Sequence, residues 1–287
     1  MILVTGASGN LGGAVIENLL NKISANQIAG LFRNQEKAKA MEAKGINVRI
    51  GEYGDKVRLL KAFQGIEKLL LVSSSGDDPL TEHTNVIDAA KEAGVKHIYY
   101  TSGALNREVI HSQLGSLVDS YINTENYILE SGLTYTIFQN GLYSETIPFF
   151  VGENVLETGI FLPAGEGKAS FATRTDMAEA IANVIASDGH DNKTYLTSAL
   201  SSYSFNDIAG MLSELSEKSI LYTNPEPDDY EVQLRESGVD EGSIWYLSLL
   251  AAIIKNGEYE IFSSDLEQLL GRKPKDLNQY LKETYIS

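Results

Sequence analysis

The run Ile2-Leu3-Val4-Thr5 breaks at once into Gly6-Ala7-Ser8-Gly9-Asn10-Leu11-Gly12 and then into a helical pattern, and this order restricts the fold more than any other stretch. Glycine at every third position lets the backbone bend sharply and come close to whatever lies against it, because the Cβ atoms are missing where space is shortest. Leu11, Val15, Ile16, Leu19 and Leu20 share one face of the segment from Leu11 to Asn21. A helix so patterned lies on a sheet, with the free amides of its first turn beside the glycines. Strand, glycine turn and helix in this order are how an α/β sheet holds a dinucleotide pyrophosphate, at the positive end of the helix dipole. Gly6, Gly9 and Gly12 are therefore candidate cofactor residues.

The rest of the chain supplies the sheet that such a turn needs. Strands are predicted over Gln27 to Phe32, Ile46 to Ile50, Ile66 to Val72, His97 to Thr101 and Thr134 to Phe138, and helices alternate with them. Asn34, Asp55 and Asp78 stand where N-caps belong, Pro79 follows at a first helical position, and Gly45, Gly65, Gly94 and Gly132 close the helices. The continuous apolar run Ile66 to Val72 is of the kind buried on both faces of a parallel sheet. The fold class is thus α/β, a doubly wound parallel sheet of the Rossmann type. Beyond Gly141 the glycines and prolines multiply, then a helix over Thr173 to Ser187 and a strand over Lys193 to Thr197 return. Residues 1–141 plus 172–199 form the expected nucleotide-binding domain. Residues 142–171 plus 200–287 form a smaller, mainly helical substrate lobe, with helices near Phe205 to Glu217, Asp228 to Ser237, Ser243 to Lys255, Ser264 to Leu270 and Asp276 to Thr284.

Charge and cysteine usage remove several functions. A formal net charge of −16 repels phosphate backbones and argues against nucleic-acid binding. No apolar stretch reaches the roughly 18 residues of a membrane span. His83, His97, His111 and His190 lie far apart and no cysteine accompanies them, so no metal site is expected. Because Met1 leads directly into a strand, no signal peptide is expected and a cytoplasmic protein is. The apolar stretch Trp245 to Ala251 is assigned to the lobe core, although a homodimer contact would use the same residues.

Cofactor choice rests on the end of the second strand. An acidic residue there would tie a ribose hydroxyl, whereas a basic one accommodates a 2′-phosphate. Arg33 occupies that place and Lys37 lies one helical turn on, so NADPH is favoured over NADH.

The turn Thr5 to Gly12, followed by Phe32-Arg33-Asn34, resembles the NmrA-like atypical short-chain dehydrogenase/reductase family. Tyr135-Thr136-Ile137-Phe138-Gln139-Asn140-Gly141-Leu142-Tyr143 is similar to that group's Y-T-x-x-R-N-G-x-Y stretch, with Gln139 where arginine is usual. Thr173-Arg174-Thr175-Asp176-Met177-Ala178 is similar to its T-R-x-D-x-A stretch. Leu269-Leu270-Gly271-Arg272-Lys273-Pro274 adds likeness to the members that reduce quinones and triphenylmethane dyes. The resemblance covers nearly the whole chain. It implies that Gly6, Ala7, Ser8, Asn10 and Leu11 touch the pyrophosphate, Arg33 the 2′-phosphate, and Tyr53 with Gly54 the adenine edge. It also implies that Ser73, Ser74 and Ser75 lie near the nicotinamide ribose. Thr101, Ser102, Asn140, Gly141, Leu142 and Tyr143 would bracket the nicotinamide, with Tyr143, Asn140 and Ser102 on the substrate side; Tyr143 as a plain hinge aromatic is the other reading.

Typical short-chain dehydrogenases pair Tyr-x-x-x-Lys, the cation lowering the phenol pKa for proton relay. Here the spacing reads Tyr121-x-x-x-Glu125, and a carboxylate one turn away would raise that pKa instead. A conjugated acceptor does not need the relay. Hydride addition to a quinone gives a phenolate-type oxygen with a conjugate acid near ~10, which water can protonate later. A direct-hydride NADPH reductase acting on a small-molecule acceptor of the quinone type is the leading expectation. A non-catalytic NADP(H) sensor is the alternative, and a sugar-nucleotide epimerase is disfavoured by Glu125.

Overall fold

The computed structural model describes residues 1–74, 76–106 and 115–286, the side chains of 115–118 aside. His111 and Ser75 lie outside the described residues.

Strand β1 (Ile2–Val4) is followed by α1 (Asn10–Leu20), β2 (Ile28–Phe32), α2 (Gln35–Glu42), β3 (Asn47–Ile50), α3 (Lys56–Ala62) and β4 (Lys68–Val72). Then come α4 (Pro79–Ala93), β5 (His97–Gly103), α5 (Gly115–Ser131), β6 (Thr134–Asn140), α6 (Arg174–Ala186) and β7 (Lys193–Thr197). These seven strands make one parallel sheet in the order β7-β6-β5-β4-β1-β2-β3, so the strand order reverses at β1. A crevice outside the carboxyl ends of β1 and β4 is the consequence. The caps act as the sequence implies: the Asn34, Asp55 and Asp78 side chains accept from the amides of Lys37, Arg58 and Thr81.

Two strands run longer than their apolar patterns. β5 and β6 continue by two residues to Gly103 and Asn140, because the parallel ladder carries on through Ser102 opposite Gln139 and Gly103 opposite Asn140. That extension sets Ser102 and Asn140 at the upper rim of the sheet.

One face of the sheet packs α1 and α6, through Val15, Ile16 and Leu19 against Met177, Ile181 and Ile185. Each such fully buried aliphatic side chain contributes about 1.5–3 kcal/mol relative to exposure. The other face packs α3, α4 and α5, through Leu59, Phe63, Val86, Ile87 and Ile128. A third apolar cluster forms the lobe, where Phe205 meets Phe150 and Phe171 edge-on at 5.4 and 6.4 Å between centroids. Its helices are α7 (Phe205–Ser216), α8 (Pro227–Glu236), α9 (Glu241–Lys255) and α11 (Leu277–Tyr285), with α10 (Asp265–Leu270) between the last two. Although the sequence groups α10 with the lobe, its Leu266 and Leu270 belong to the sheet-side cluster of α1 and α6. Asp265 accepts from the Leu196 amide of β7, and the Leu269 carbonyl accepts from Asn183 of α6.

In α9 the assignment to the core holds for Leu247, Leu250 and Ala251, but Trp245 is 61 % exposed and Tyr246 46 %. Helical periodicity turns those two aromatics to the opposite face. Among the described residues no helix is long and apolar enough to cross a membrane.

Candidate functional site

The crevice at the strand reversal is a cleft of about 750 Å³. The glycine turn forms its floor. Gly6 sits at φ +57°, left-handed backbone that favours glycine, and its carbonyl accepts from the Gly9 amide at 2.8 Å. A Cβ on Gly12 would lie 2.4 Å from the Gly6 carbonyl oxygen and 2.9 Å from that of Thr5, so only glycine lets α1 start this close to β1. Gly9 stands at the N-cap with no side-chain cap, and the first turn of α1 contains no acidic residue. The helix therefore presents free amides and an uncompensated positive end to the cleft.

The remaining wall carries charge of both signs. Gly6, Ser8, Gly9, Asn10, Leu11, Gly12, Arg33, Lys37, Tyr53, Gly54, Ser73 and Ser74 all line the cleft, as do Glu52, Asp77 and Glu82. Ala7 does not line it: its side chain is fully buried beneath the turn. Tyr53 lines it with its ring, since its hydroxyl donates to the Val72 carbonyl at 2.8 Å and pairs with Thr5 Oγ1 at 2.5 Å. The Val72 amide also donates to Thr5 Oγ1, so one side-chain knot ties β1 to β4 under the turn, and burial pushes the phenol well above its usual range.

His83, fully buried behind the cleft wall, is a supporting residue that its sequence context did not reveal. Its Nε2 accepts from the Ser74 amide at 2.8 Å, and its Nδ1 faces Thr124 Oγ1 at 2.9 Å. Thr124 in turn donates to the Ser120 carbonyl at 2.6 Å. A nitrogen that accepts carries no proton, so the ring is neutral with its hydrogen on Nδ1, and burial holds its pKa down at about 4. Glu82, next in the chain, takes a hydrogen bond from the Ser74 hydroxyl, which itself accepts from the Gly76 amide at 3.0 Å. Helix α4 thereby fixes the loop after β4 at two points. Only the fold brings it there.

Thr101, Ser102, Asn140, Gly141 and Tyr143 lie outside this cleft's lining, at and beyond the ends of β5 and β6. Most of their polar groups are already engaged. Thr101 Oγ1 accepts from the Ser73 amide at 2.9 Å. Asn140 accepts from Thr197 Oγ1 at 2.6 Å and donates through Nδ2 to the Tyr143 hydroxyl at 3.3 Å. Ser102 Oγ donates to Glu125 at 2.5 Å, and Gln139 Nε2 donates to both oxygens of the same carboxylate at 3.1 Å. Gln139 thus caps a buried carboxylate with a neutral donor.

That geometry corrects one expectation. Glu125 does not drive the titration of Tyr121, because its carboxylate turns to Ser102 and Gln139. The Tyr121 phenol is raised, but by burial first and then by the neighbouring Tyr143 and Tyr246 hydroxyls, with Ser73 opposing through a hydrogen bond. Tyr259, raised chiefly by burial, has Tyr121, Tyr143 and Tyr246 as electrostatic neighbours. Four tyrosines from α5, the segment after β6, α9 and the turn after α9 therefore converge above the rim.

Two motifs distant in sequence turn out to be one contact. Asp176, buried, accepts from Arg272 Nη2 at 2.7 Å and from the Lys275 amide at 2.7 Å, while Thr173 caps α6 beneath it. The parallel pairing of Phe171–Ala172 with Leu142–Tyr143 then brings the start of α6 beside Tyr143.

A model of the NmrA-like family matches residues 1–284. The chain belongs to the NmrA-like family. It is 43 % identical to quinone oxidoreductase 2 of Escherichia coli over 244 residues, 84 % of each chain. The crystal structure of an Escherichia coli NADPH-dependent quinone oxidoreductase in complex with NADPH superposes with a TM-score of 0.89 at 38 % identity, over 99 % of both chains. The triphenylmethane reductase of a Citrobacter species, complexed with NADP(H), superposes at 0.91 with 35 % identity over 99 % of this chain and 100 % of that one.

Proposed function

We propose that this NmrA-like protein is an NADPH-dependent oxidoreductase that passes hydride directly to a quinone-like or other conjugated small-molecule acceptor, in the cytoplasm. The observation that carries the reading is the union of an uncapped helix N-terminus, a glycine whose Cβ would strike backbone, and Arg33 in one cleft. These residues fit an adenine dinucleotide phosphate. The amides of Asn10, Leu11 and Gly12 would hold the pyrophosphate with Ser8 and Gly9 beside them, and Arg33 with Lys37 would hold the 2′-phosphate. Tyr53 and Gly54 border the adenine. Residues 1–141 plus 172–199 make this half, and 142–171 plus 200–287, apart from the α10 contact, roof the acceptor half.

Bound NADPH supplies the hydride. The chain's own part is positional: Thr101 holds Ser73, His83 and Glu82 hold Ser74, and Asn140 orients Tyr143. Ser73, Ser74, Thr101, Ser102, Asn140, Gly141 and Tyr143 would then border the nicotinamide end, with Tyr143 against the acceptor. Burial raises the phenols of Tyr121, Tyr143 and Tyr259 and makes each a weaker acid than a free tyrosine, so a product anion that water can protonate suits the site. The relatives support the acceptor class, being quinone- and dye-reducing enzymes by name.

The purified protein, mixed with NADPH and a panel of benzoquinones, naphthoquinones and triphenylmethane dyes, is expected to oxidise NADPH in an acceptor-dependent way above enzyme-free controls. Tight NADPH binding without any acceptor-dependent oxidation would overturn the reductase and favour a sensor.

A further inference from the structure

Arg174 stands at the first position of α6, and its guanidinium carbon lies 4.6 Å from the centroid of the Tyr143 ring. The placement is fixed by backbone: Ala172 pairs with Tyr143, and the Arg174 amide donates to both carboxylate oxygens of Glu145 at 3.0 Å. The carboxylate therefore caps the helix. Among the described residues the guanidinium itself has no hydrogen-bond or ion-pair partner; the Tyr143 ring is its neighbour. The side chain is half-buried. Five donors and a full positive charge thus face the aromatic rim of a molecule whose net charge is −16.

We infer that Arg174 determines acceptor specificity by charge, favouring acceptors that become anionic on reduction over acceptors that arrive as cations. The inference rests on the reductase reading and goes beyond it. A neutral quinone gains the hydride, one proton and two electrons, that the dihydronicotinamide loses in becoming its pyridinium. It leaves as a hydroquinone monoanion, which then takes a proton from water. A triarylmethyl cation gains the same hydride at its central carbon and leaves neutral. Negative charge develops beside Arg174 in the first case, and the guanidinium opposes entry of the second. Glu145 lies close enough to temper this field but does not neutralise it by an ion pair, its oxygens being turned to the Arg174 amide. Tyr143, held by Asn140, is the stacking surface between the cation and the acceptor.

The test compares wild type, Arg174→Gln and Arg174→Lys on 1,4-naphthoquinone and on crystal violet, reading kcat/KM for each. Arg174→Gln is expected to lower the quinone-to-dye ratio by about tenfold or more, one power of ten being roughly 1.36 kcal/mol of transition-state stabilisation. Arg174→Lys should recover part of it. Equilibrium titration of the NADP⁺-loaded proteins with ionised 4-nitrophenol, a stable stand-in for the product anion, should show weaker binding to Arg174→Gln and no change for neutral hydroquinone. A ratio and a phenolate affinity that both stay put in an active Arg174→Gln protein would overturn the inference and leave the reductase standing. A wild type with no acceptor-dependent oxidation at all would overturn both.

Discussion

The two ends of the proposed site are built on different principles. At the phosphate end the backbone does the work: a left-handed Gly6, a Gly12 without room for a methyl group, and helix amides left uncapped at Gly9. At the acceptor end side chains from four separated segments converge, Tyr121, Tyr143, Tyr246 and Tyr259, with Arg174 over one of them. A backbone-built site has few tolerated alternatives, whereas a side-chain-built site can be retuned one residue at a time. The same cradle therefore serves while the acceptor changes.

That contrast can be broken most forcefully at Gly12. Gly12→Ala should abolish detectable NADPH binding and cost about 1–3 kcal/mol of stability through overpacking, read by fluorescence titration and urea unfolding; near-normal affinity would mean the turn yields more than its geometry allows. Asp176→Ala leaves the Lys275 amide without its acceptor and Arg272 with Glu179 as its one remaining carboxylate, and should cost about 1–3 kcal/mol. Because it loosens the acceptor side, turnover should fall while NADPH affinity stays within a few-fold, and parallel loss of both would erase the distinction between the two ends. Arg33→Asp should weaken NADPH by roughly tenfold to a hundredfold through loss of a charged hydrogen bond. NADH affinity, measured alongside, should hold or rise. Tyr143→Phe removes one weak neutral hydrogen bond from Asn140 and should cost only about threefold in kcat/KM, with cofactor affinity untouched.

The smallest effect is expected with pH. His83 and His97 are both held from an ordinary 6.5 down to about 4, His83 by burial and His97 by burial that Asp191 opposes and Lys68 and His190 reinforce. Between about 6.5 and 4 the unfolded chain takes up protons that the native state refuses, so their contribution to stability is complete above 6.5 and is lost as pH falls through that window. Urea midpoints measured across it should decline. His83→Gln, whose amide can serve both Ser74 and Thr124, should decline less steeply; an unchanged slope would show that His83 is not held neutral.

How much of this was written locally explains what could be foreseen. All seven strands of the sheet and the phosphate cradle were legible, because continuous apolar runs, caps and glycines are properties of neighbours in sequence. The place of Arg33 on the cleft wall was legible for the same reason, since it stands a fixed distance past the turn. His83 was not, since its partners Ser74 and Thr124 lie on a loop and on another helix. Spacing suggested that Glu125 acts on Tyr121, yet one turn of helix leaves a side chain free to swing, and Glu125 swings to Ser102 and Gln139. Asp176 and Arg272, 96 residues apart, each belong to a recognisable motif, but nothing in either motif announces the other.

The Asp176 clamp also sets an order in time. Every residue of the phosphate cradle lies before residue 80, yet the helix that opens it, α1, packs on α6, about a hundred residues further on. Arg272 and Lys275 emerge 96 and 99 residues after Asp176, and until they reach it the start of α6, with Arg174 on it, lacks its outer support. Helix α6 thus serves both ends of the site, packing α1 at one and carrying Arg174 at the other, and is steadied from far along the chain.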